Sequence, residues 1–283
     1  MINKKDVSGL HAPSLPPPTW QPLGTIWQNN SCAYDAVITI LFNIWRENPL
    51  ATTGIWQTME NAELNSLMAG FSLHTSLPKS QGQQFTLEDI REFMRQRLAH
   101  LSPNFAFGRY ASVHNILLHL LDTSGPVTIN TRRCRAHGHT ATHESTISAA
   151  MVVASGENNR TLQQNINEPY VALSSWCWEC NSLQVRTTTF QSLPPLLAFE
   201  WGVHPPVLNP ILIVTTPHTQ PTAYHLRGVV YHDGNHFTVH IFNAAGQMWY
   251  HDGMQTGPQR MLVPAPAGAH HNENAIIAVY SHT

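Results

Sequence analysis

The sequence predicts an α+β fold, because helical and strand patterns occupy separate parts of the chain. Up to about residue 125 apolar residues recur at every third or fourth position, whereas from Pro126 short β-prone segments alternate with turn residues. Helices followed by strands are typical of α+β proteins with antiparallel sheets. A hydrophobic content of 42% in 283 residues supports a sizeable core.

The first predicted helix begins near Cys32, with Ser31 as its N-cap, because apolar residues follow at helical spacing as far as Trp45. Further helices are predicted over about 59–71, 87–98 and 111–122. Thr86 is the expected cap of the helix over 87–98. Four of that helix's residues recur on successive turns: Ile90, Phe93, Met94 and Arg97.

The second half of the chain predicts an antiparallel sheet built from short strands. The β-prone segments are MVVA, YVAL, LQVRTTTF, PLLAFEW, ILIVTT, YHLRGVVYH, HFTVHIF, QMWYH and AIIAVY. The stretch 156–164 is interpreted as an exposed loop. Residues 1–19 hold four prolines and are expected to form an extended leader.

Composition narrows the class of partner and the compartment. A charged fraction of 11% and a net charge of -2 leave no broad basic face, so nucleic acid is not an expected partner. Neither a signal peptide nor a membrane-length apolar segment is recognisable, which predicts a cytoplasmic or nuclear protein with no membrane partner. In a reducing compartment, four cysteines are expected to be metal ligands or nucleophiles and not disulfides.

Three of the cysteines predict a structural zinc site. The segments CRAH and CWEC each place two ligand residues three positions apart, as a tetrahedral Zn²⁺ requires. The four expected ligands are Cys134, His137, Cys177 and Cys180. His139 and His143 are alternatives to His137 as the fourth ligand. CWEC also resembles a redox motif, but the strand-like segment after it does not fit the helix that such a motif needs.

The fourth cysteine, Cys32, has two interpretations. A lone cysteine is most often a small buried hydrophobe. At the start of a helix, however, unpaired N–H groups and the macrodipole are expected to lower the thiol pKa and favour a nucleophilic thiolate. Gln28, Asn29 and Asn30, directly before it, could donate hydrogen bonds to an oxyanion.

A cysteine nucleophile also needs a base and a residue that orients that base. The segments HFTVHIF and QMWYH, joined by NAAG, predict a hairpin that sets His236 opposite about residues 251–254, a range that includes Asp252. We therefore expect His236 to be the base and Asp252 its partner. His232, His240 and His251 are the rival histidines.

Several of these segments resemble motifs of the ubiquitin-specific proteases, a family of papain-like cysteine isopeptidases. NNSCAYDAVITIL is similar to the family's cysteine box, and YHLRGVVYHDGNHFTVHIF with MWYHDG is similar to its histidine box. Weaker likenesses are ASVHNILLHLLD, LPPLLAFEW and AIIAVY, in the family's order. YHDGM also resembles a motif of SUMO-specific proteases. Trp27 stands where the family has its oxyanion asparagine, so Gln28, Asn29 or the Cys32 backbone N–H would take that role.

This resemblance implies a papain-like fold and a deubiquitinase activity. It implies a helical thumb over 20–125, zinc-bearing β fingers over 126–190 and an antiparallel β palm over 191–283. Cys32, His236 and Asp252 would hydrolyse the bond after the C-terminal glycine of ubiquitin on conjugated proteins. The alternatives are an isopeptidase for SUMO or another ubiquitin-like modifier, an inactive ubiquitin-binding module, and a zinc-stapled interaction domain that binds no modifier.

Overall fold

The structure of the chain is a computed structural model. It describes residues 21–77, 85–106, 108–134, 136, 144–154, 160–168, 170–202, 204–257, 261–265 and 274–282. Within these ranges no helix is both long and apolar enough to cross a bilayer. The expected leader, residues 1–19, lies outside the described residues.

Helices precede strands along most of the chain, so the predicted mixture of helices followed by sheet is confirmed. The helices are α1 (Cys32–Glu47), α2 (Pro49–Trp56), α3 (Ala62–Ser76), α4 (Leu87–Leu101), α5 (Val113–Leu120) and α6 (Leu162–Asn167), with short 3₁₀ turns at Gln57–Met59 and Pro103–Phe105. The pattern around 156–164 favours a loop, but Thr161 caps α6 there and Leu162 is buried. The α2 helix was not predicted.

The strands form two sheets. They are β1 (Thr128–Cys134), β2 (Ser145–Ile147), β3 (Met151–Val153), β4 (Tyr170–Trp176), β5 (Leu183–Phe190), β6 (Leu196–Glu200), β7 (Ile211–Val214), β8 (Thr222–Asp233), β9 (His236–Phe242), β10 (Met248–His251), β11 (Val263–Pro264) and β12 (Ala275–Ser281). A smaller sheet has the order β2-β1-β5-β4, and a larger sheet has the order β11-β10-β9-β8-β12-β6-β3 with β7 beside β8. All of their pairs are antiparallel except β3 with β6.

The core lies between α1 and the larger sheet. Residues from Cys32 to Trp45 of α1 are all buried, because the helix is enclosed by β8 and β9 on one side and by α4 and α5 on another. The helix approaches β8 so closely that a Cβ on Gly228 would lie 2.6 Å from the Ile40 side chain. Only glycine at this position allows so close an approach of α1 to the sheet.

The α4 helix begins as expected and buries Ile90 and Met94, but its buried face extends to the side away from Phe93. Thr86 and Asp89 form a reciprocal capping box at its start. Phe93, which the helical spacing places on the apolar face, is 46% exposed, whereas Arg91 and Arg95 are only 0% and 2% exposed. The buried arginines face α1 and the segment that precedes it.

Candidate active site

The segment before α1 is docked on the end of β10. The N–H of Trp27 donates to the carbonyl of Gly253 over 2.9 Å. The ring Nε2 of His251 lies 2.9 Å from the carbonyl oxygen of Thr25. These contacts join the start of the first helix to the end of a strand more than two hundred residues later in the chain.

Cys32 is the first residue of α1 and faces the start of β9. It is only 4% exposed, and its thiol points to the carbonyl oxygen of Asn235 at 4.0 Å. The backbone N–H groups of Phe237, Ala33 and Cys32 itself also interact with the sulfur. The structure therefore brings Cys32 against the backbone on both sides of His236.

The expectation of a lowered thiol pKa is wrong for this structure. Burial raises the pKa of Cys32, and the nearby carboxylate of Asp35 raises it further. The N–H groups of Phe237, Ala33 and Cys32 oppose this shift, but burial outweighs them. Burial thus favours the protonated thiol of Cys32, and a neighbouring base would have to remove its proton to make it a nucleophile.

His236 and Asp252 form a hydrogen-bonded pair, with His236 Nε2 at 2.8 Å from Asp252 Oδ1. The β9–β10 register pairs Val239 with His251 and shows no shift, so Asp252 follows the strand end across from Thr238. Thr238 and His236 point to the same face of β9 because side chains alternate along a strand. The diagonal offset therefore brings the two groups together without a bulge.

The carboxylate of Asp252 also determines which ring nitrogen of His236 can accept a proton. Asp252 is 7% exposed, and its Oδ1 accepts a second hydrogen bond, of 2.9 Å, from the N–H of Met254. A carboxylate that accepts from Nε2 favours the tautomer with the proton on Nε2. Nδ1 is then the nitrogen that can take a proton from a thiol.

The three rival histidines have structural contacts elsewhere. His232 is exposed and stacks on Phe237 with ring centroids 4.6 Å apart. His240 is buried and its Nδ1 lies 3.0 Å from the hydroxyl of Tyr231. Burial lowers the pKa of His251, which is held by Thr25 as described above. His236 is the histidine whose neighbours in the chain contact Cys32.

Three amide residues, Gln28, Asn29 and Asn30, precede the cysteine as candidate oxyanion donors. The Asn30 side chain donates to the carbonyl of Gly108 over 3.2 Å, while the Gln28 and Asn29 residues are exposed. Asn29 and Asn30 both have positive φ, 52° and 58°, which costs up to about 1–2 kcal/mol per residue. Of the backbone near the cysteine in the chain, the N–H groups of Cys32 and Ala33 are directed at the sulfur, as is the N–H of Phe237 from β9.

Ser31 occupies the N-cap position of α1 without capping the helix. Its φ and ψ are helical, and its side chain accepts no bond from the first turn. The Ser31 hydroxyl instead accepts from the N–H of Gln28 at 2.9 Å and donates to Asp35 at 2.6 Å. The expected cap is thus replaced by a link between the preceding segment and the first turn of the helix.

The metal candidates converge at one end of the smaller sheet. The Sγ atoms of Cys134, Cys177 and Cys180 all lie within 4.8 Å of one another. Ligands of a tetrahedral zinc at Zn–S distances of about 2.3 Å are separated by about 3.8 Å, so the three sulfurs fit this ion. His137, the expected fourth ligand, and the alternatives His139 and His143 lie outside the described residues.

The backbone around CWEC is a tight turn and does not begin a helix. Asn181 donates to the carbonyl of Cys177 over 2.8 Å with a φ of 53°, and Cys177 donates to the carbonyl of Ser182 over 2.8 Å. Hydrogen bonds with Ser182 lower the pKa of Cys180 to about 7. The turn leads into β5 and the third sulfur comes from β1, an arrangement that favours a metal ligand cluster over a redox pair.

Comparison with known proteins adds a likeness of fold. No protein-family model matches the sequence, and no curated protein matches it. A chain of the SAGA DUB module Ubp8/Sgf11/Sus1/Sgf73 bound to monoubiquitin matches with a TM-score of 0.57 and 12% identity, covering 92% of this chain and 68% of that chain. The same module bound to ubiquitin aldehyde matches with a TM-score of 0.57 and 13% identity, covering 92% and 69%.

A third matching structure is the yeast SAGA DUB module with a mutant Sgf73. Its TM-score is 0.50 and its identity 12%, with 95% of this chain and 70% of that chain covered. Identities this low show similarity of fold and do not establish membership of a family. The fold of this chain is thus similar to that of a chain in DUB modules that have been solved with ubiquitin bound.

Proposed function

We propose that the protein is a cysteine isopeptidase that cleaves after the C-terminal glycine of ubiquitin or a ubiquitin-like modifier. One observation carries this proposal. The chain joins an Asp252–His236 pair, 2.8 Å apart, to a cysteine whose sulfur packs on the residues flanking His236. The similarity of fold to structures solved with ubiquitin supports the choice of modifier.

In the proposed mechanism His236 Nδ1 takes the proton of Cys32 as the sulfur attacks the carbonyl carbon of the modifier's last glycine. Asp252 holds Nε2–H and stabilises the imidazolium. The N–H groups of Cys32 and Ala33, with an amide of Gln28, Asn29 or Asn30, stabilise the oxyanion. The imidazolium then protonates the departing lysine amine, which leaves a thioester.

Hydrolysis of this thioester completes the cycle. His236 takes a proton from a water molecule, which attacks the thioester carbonyl, and the sulfur leaves and recovers the proton. The products are the free modifier carboxylate and the thiol of Cys32. Because burial raises the pKa of the Cys32 thiol, the mechanism uses a general base at neutral pH and does not start from a pre-formed thiolate.

A zinc ion held by Cys134, Cys177 and Cys180, with His137 as the proposed fourth ligand, would have a structural role. Bound there it supplies cross-links between β1 and the turn before β5, and no chemistry of the cleavage. Among the residues of β1, β2 and β5, whose burial the structure describes, the buried apolar side chains are Cys134 and Phe190, so little apolar packing holds these strands together. We propose that this sheet forms fingers that contact the folded body of the modifier, with a thumb over 20–125 and a palm over 191–283.

The second candidate function is a catalytically inactive binding module. The observation in its favour is the nearly complete burial of Cys32, at 4% exposure, together with the raised pKa of its thiol. If no base activates this thiol and no substrate reaches it, the protein would bind the modifier without cleaving it. The two functions differ in whether Cys32 forms a covalent bond with the modifier's tail.

The test uses ubiquitin and SUMO that carry a C-terminal electrophile in place of the last carboxylate. We expect the wild-type protein to form a covalent adduct with one of them, and Cys32→Ala and His236→Ala to form none. His232→Ala is the matched control, since it removes a neighbouring exposed histidine and should react like wild type. Binding without an adduct would establish the inactive module, and failure to bind any modifier would overturn both functions.

A further inference from the structure

Three side chains of α4 hold the backbone that leads into Cys32. Arg91 Nη1 donates to the carbonyl of Ile26 over 2.6 Å, and the N–H of Ile26 donates to Glu88 Oε1 over 2.8 Å. Arg95 Nη2 donates to the carbonyl of Asn29 over 3.0 Å. Both backbone groups of Ile26 and the carbonyl three residues later are therefore bound by one helix.

The same Arg91 also reaches the first turn of α1. Its Nη1 lies 2.8 Å from Asp35 Oδ1, with side chains 0% and 2% exposed. Asp35 Oδ2 accepts from the Ser31 hydroxyl, which in turn accepts from the N–H of Gln28. A continuous path of hydrogen bonds thus runs from α4 through the cysteine's own helix and back to the loop.

Stability alone is a poor reason for this buried ion pair. A well-packed apolar pair of similar volume is often as stable as a buried salt bridge, because two charges must be desolvated. The hydrogen-bond path instead lies where it can fix the orientation of backbone N–H groups near the sulfur. It begins at Ile26 and Asn29 and ends within the helical turn whose N–H groups, at Cys32 and Ala33, contact the sulfur.

The conformation of the loop also requires external support. Asn29 and Asn30 both have positive φ, and two such residues in succession are unfavourable outside a structure that holds them. The bond from Arg95 to Asn29 and the bond from Asn30 to Gly108 supply this support. Release of the loop would let these residues relax and would turn the N–H groups that follow.

We propose that Arg91, fixed by Asp35, is a positioning residue that holds loop 26–30 so that the N–H groups of Cys32 and Ala33 point at the reacting sulfur and oxyanion. The catalytic role of Arg91 rests on the proposed function, because Arg91 would act through the N–H groups that stabilise the oxyanion. Arg91 touches neither the thiol nor a substrate. It sets the geometry of the donors that do.

The first test compares Arg91→Lys with Arg97→Lys. Lysine keeps the positive charge but has no planar fork to bind the Ile26 carbonyl and Asp35 together. Arg97 lies on the same helix and makes a bidentate pair with Glu63, away from the loop, so it is the matched control. We expect Arg91→Lys to lower kcat about 10- to 100-fold with KM within about twofold, and Arg97→Lys to leave both unchanged.

The second readout does not depend on isopeptidase activity. The rate of alkylation of Cys32 by iodoacetamide, measured against pH, reports on the N–H groups around the sulfur. The charged group that acts on the sulfur is Asp35 on α1. The other titratable groups of the region are His236, which lies between the two β9-side residues that contact the sulfur, and its partner Asp252. Loss of the N–H contacts in Arg91→Lys should move the profile to higher pH, and Arg97→Lys should not move it.

Ser31→Ala is a second variant, for the case that Arg91→Lys misfolds. It removes only one hydroxyl from the hydrogen-bond path. Its alkylation profile should move in the same direction while its thermal unfolding stays cooperative. An unchanged profile in both folded variants would overturn the proposal, whether or not the wild type cleaves a modifier. A wild type that cleaves no modifier, with both profiles shifted, would overturn the proposed function alone.

Discussion

The sharpest prediction concerns Asp252→Asn, because the structure specifies how the new amide must be oriented. Oδ1 of Asp252 accepts hydrogen bonds from His236 Nε2 at 2.8 Å and from the Met254 N–H at 2.9 Å. An amide NH₂ placed there would face two donors, so the asparagine keeps its oxygen in this position. The histidine tautomer is then retained, and the variant loses only the negative charge.

The expected loss follows from the difference between charged and neutral hydrogen bonds. A bond to a charged group contributes about 1.5–3 kcal/mol and a neutral bond about 0.5–1.5 kcal/mol, so loss of the charge costs about 1–1.5 kcal/mol. This converts to a fall of about 5- to 13-fold in kcat/KM. Asp252→Ala removes the whole hydrogen bond and should lower kcat/KM about 13- to 160-fold.

The assay is steady-state release of a fluorophore from the C-terminus of whichever modifier reacts with Cys32. Asp233→Asn is the control, since Asp233 is exposed and pairs across β8 and β9 with His236 without a hydrogen bond to its ring. We expect the control to retain wild-type kcat/KM. A loss of about 10⁴-fold in Asp252→Asn, the size seen when a triad histidine adopts the wrong tautomer, would refute the role given to the Met254 N–H.

Four further predictions concern the thiol, the metal, the core and an exposed helical position. Because burial raises the pKa of Cys32, its thiolate fraction grows only above the ordinary thiol range, so its alkylation rate should still rise between pH 8 and about 9.5; a plateau by pH 7 would contradict this. Elemental analysis should find one zinc per chain, and a chelator should lower the unfolding temperature; unfolding unaffected by metal removal would exclude a structural ion. Gly228→Ala should destabilise the fold by about 1–3 kcal/mol in urea, since its Cβ would meet Ile40 at 2.6 Å. Gly54→Ala, on an open helical site, should stabilise it by up to about 1 kcal/mol.

The elements that the sequence predicts best are those with a strong two-residue period. Leu183–Phe190 and His236–Phe242 begin and end where the alternation does. The His236–Asp252 pairing was predictable because a short turn fixes the register of a hairpin. By contrast, β1 has the sequence TINTRRC, with little apolar alternation, and it forms because β5 pairs with it along its whole length.

The pKa of Cys32 shows why local sequence could not predict the state of the thiol. A helix start lowers a thiol pKa when the sulfur is in contact with water, which is what the local sequence describes. The packing of Asn235 and Phe237 over Cys32 comes from a strand some two hundred residues away and removes that water. Desolvation then exceeds the effect of the N–H groups.

The arginines of α4 were missed for a related reason, although the sequence does contain a signal for them. Helical spacing sorts residues by hydrophobicity, so it placed Phe93 inside and gave Arg91 no role. Asp35, however, lies in an apolar helix between Tyr34 and Ala36, where every position of that turn is buried. A carboxylate at such a position needs a cation or several donors, because an unpaired buried charge is too costly to keep. The search for that cation leads to the arginines of α4, and Arg91 is the one that pairs with Asp35 while it also binds the backbone leading to Cys32.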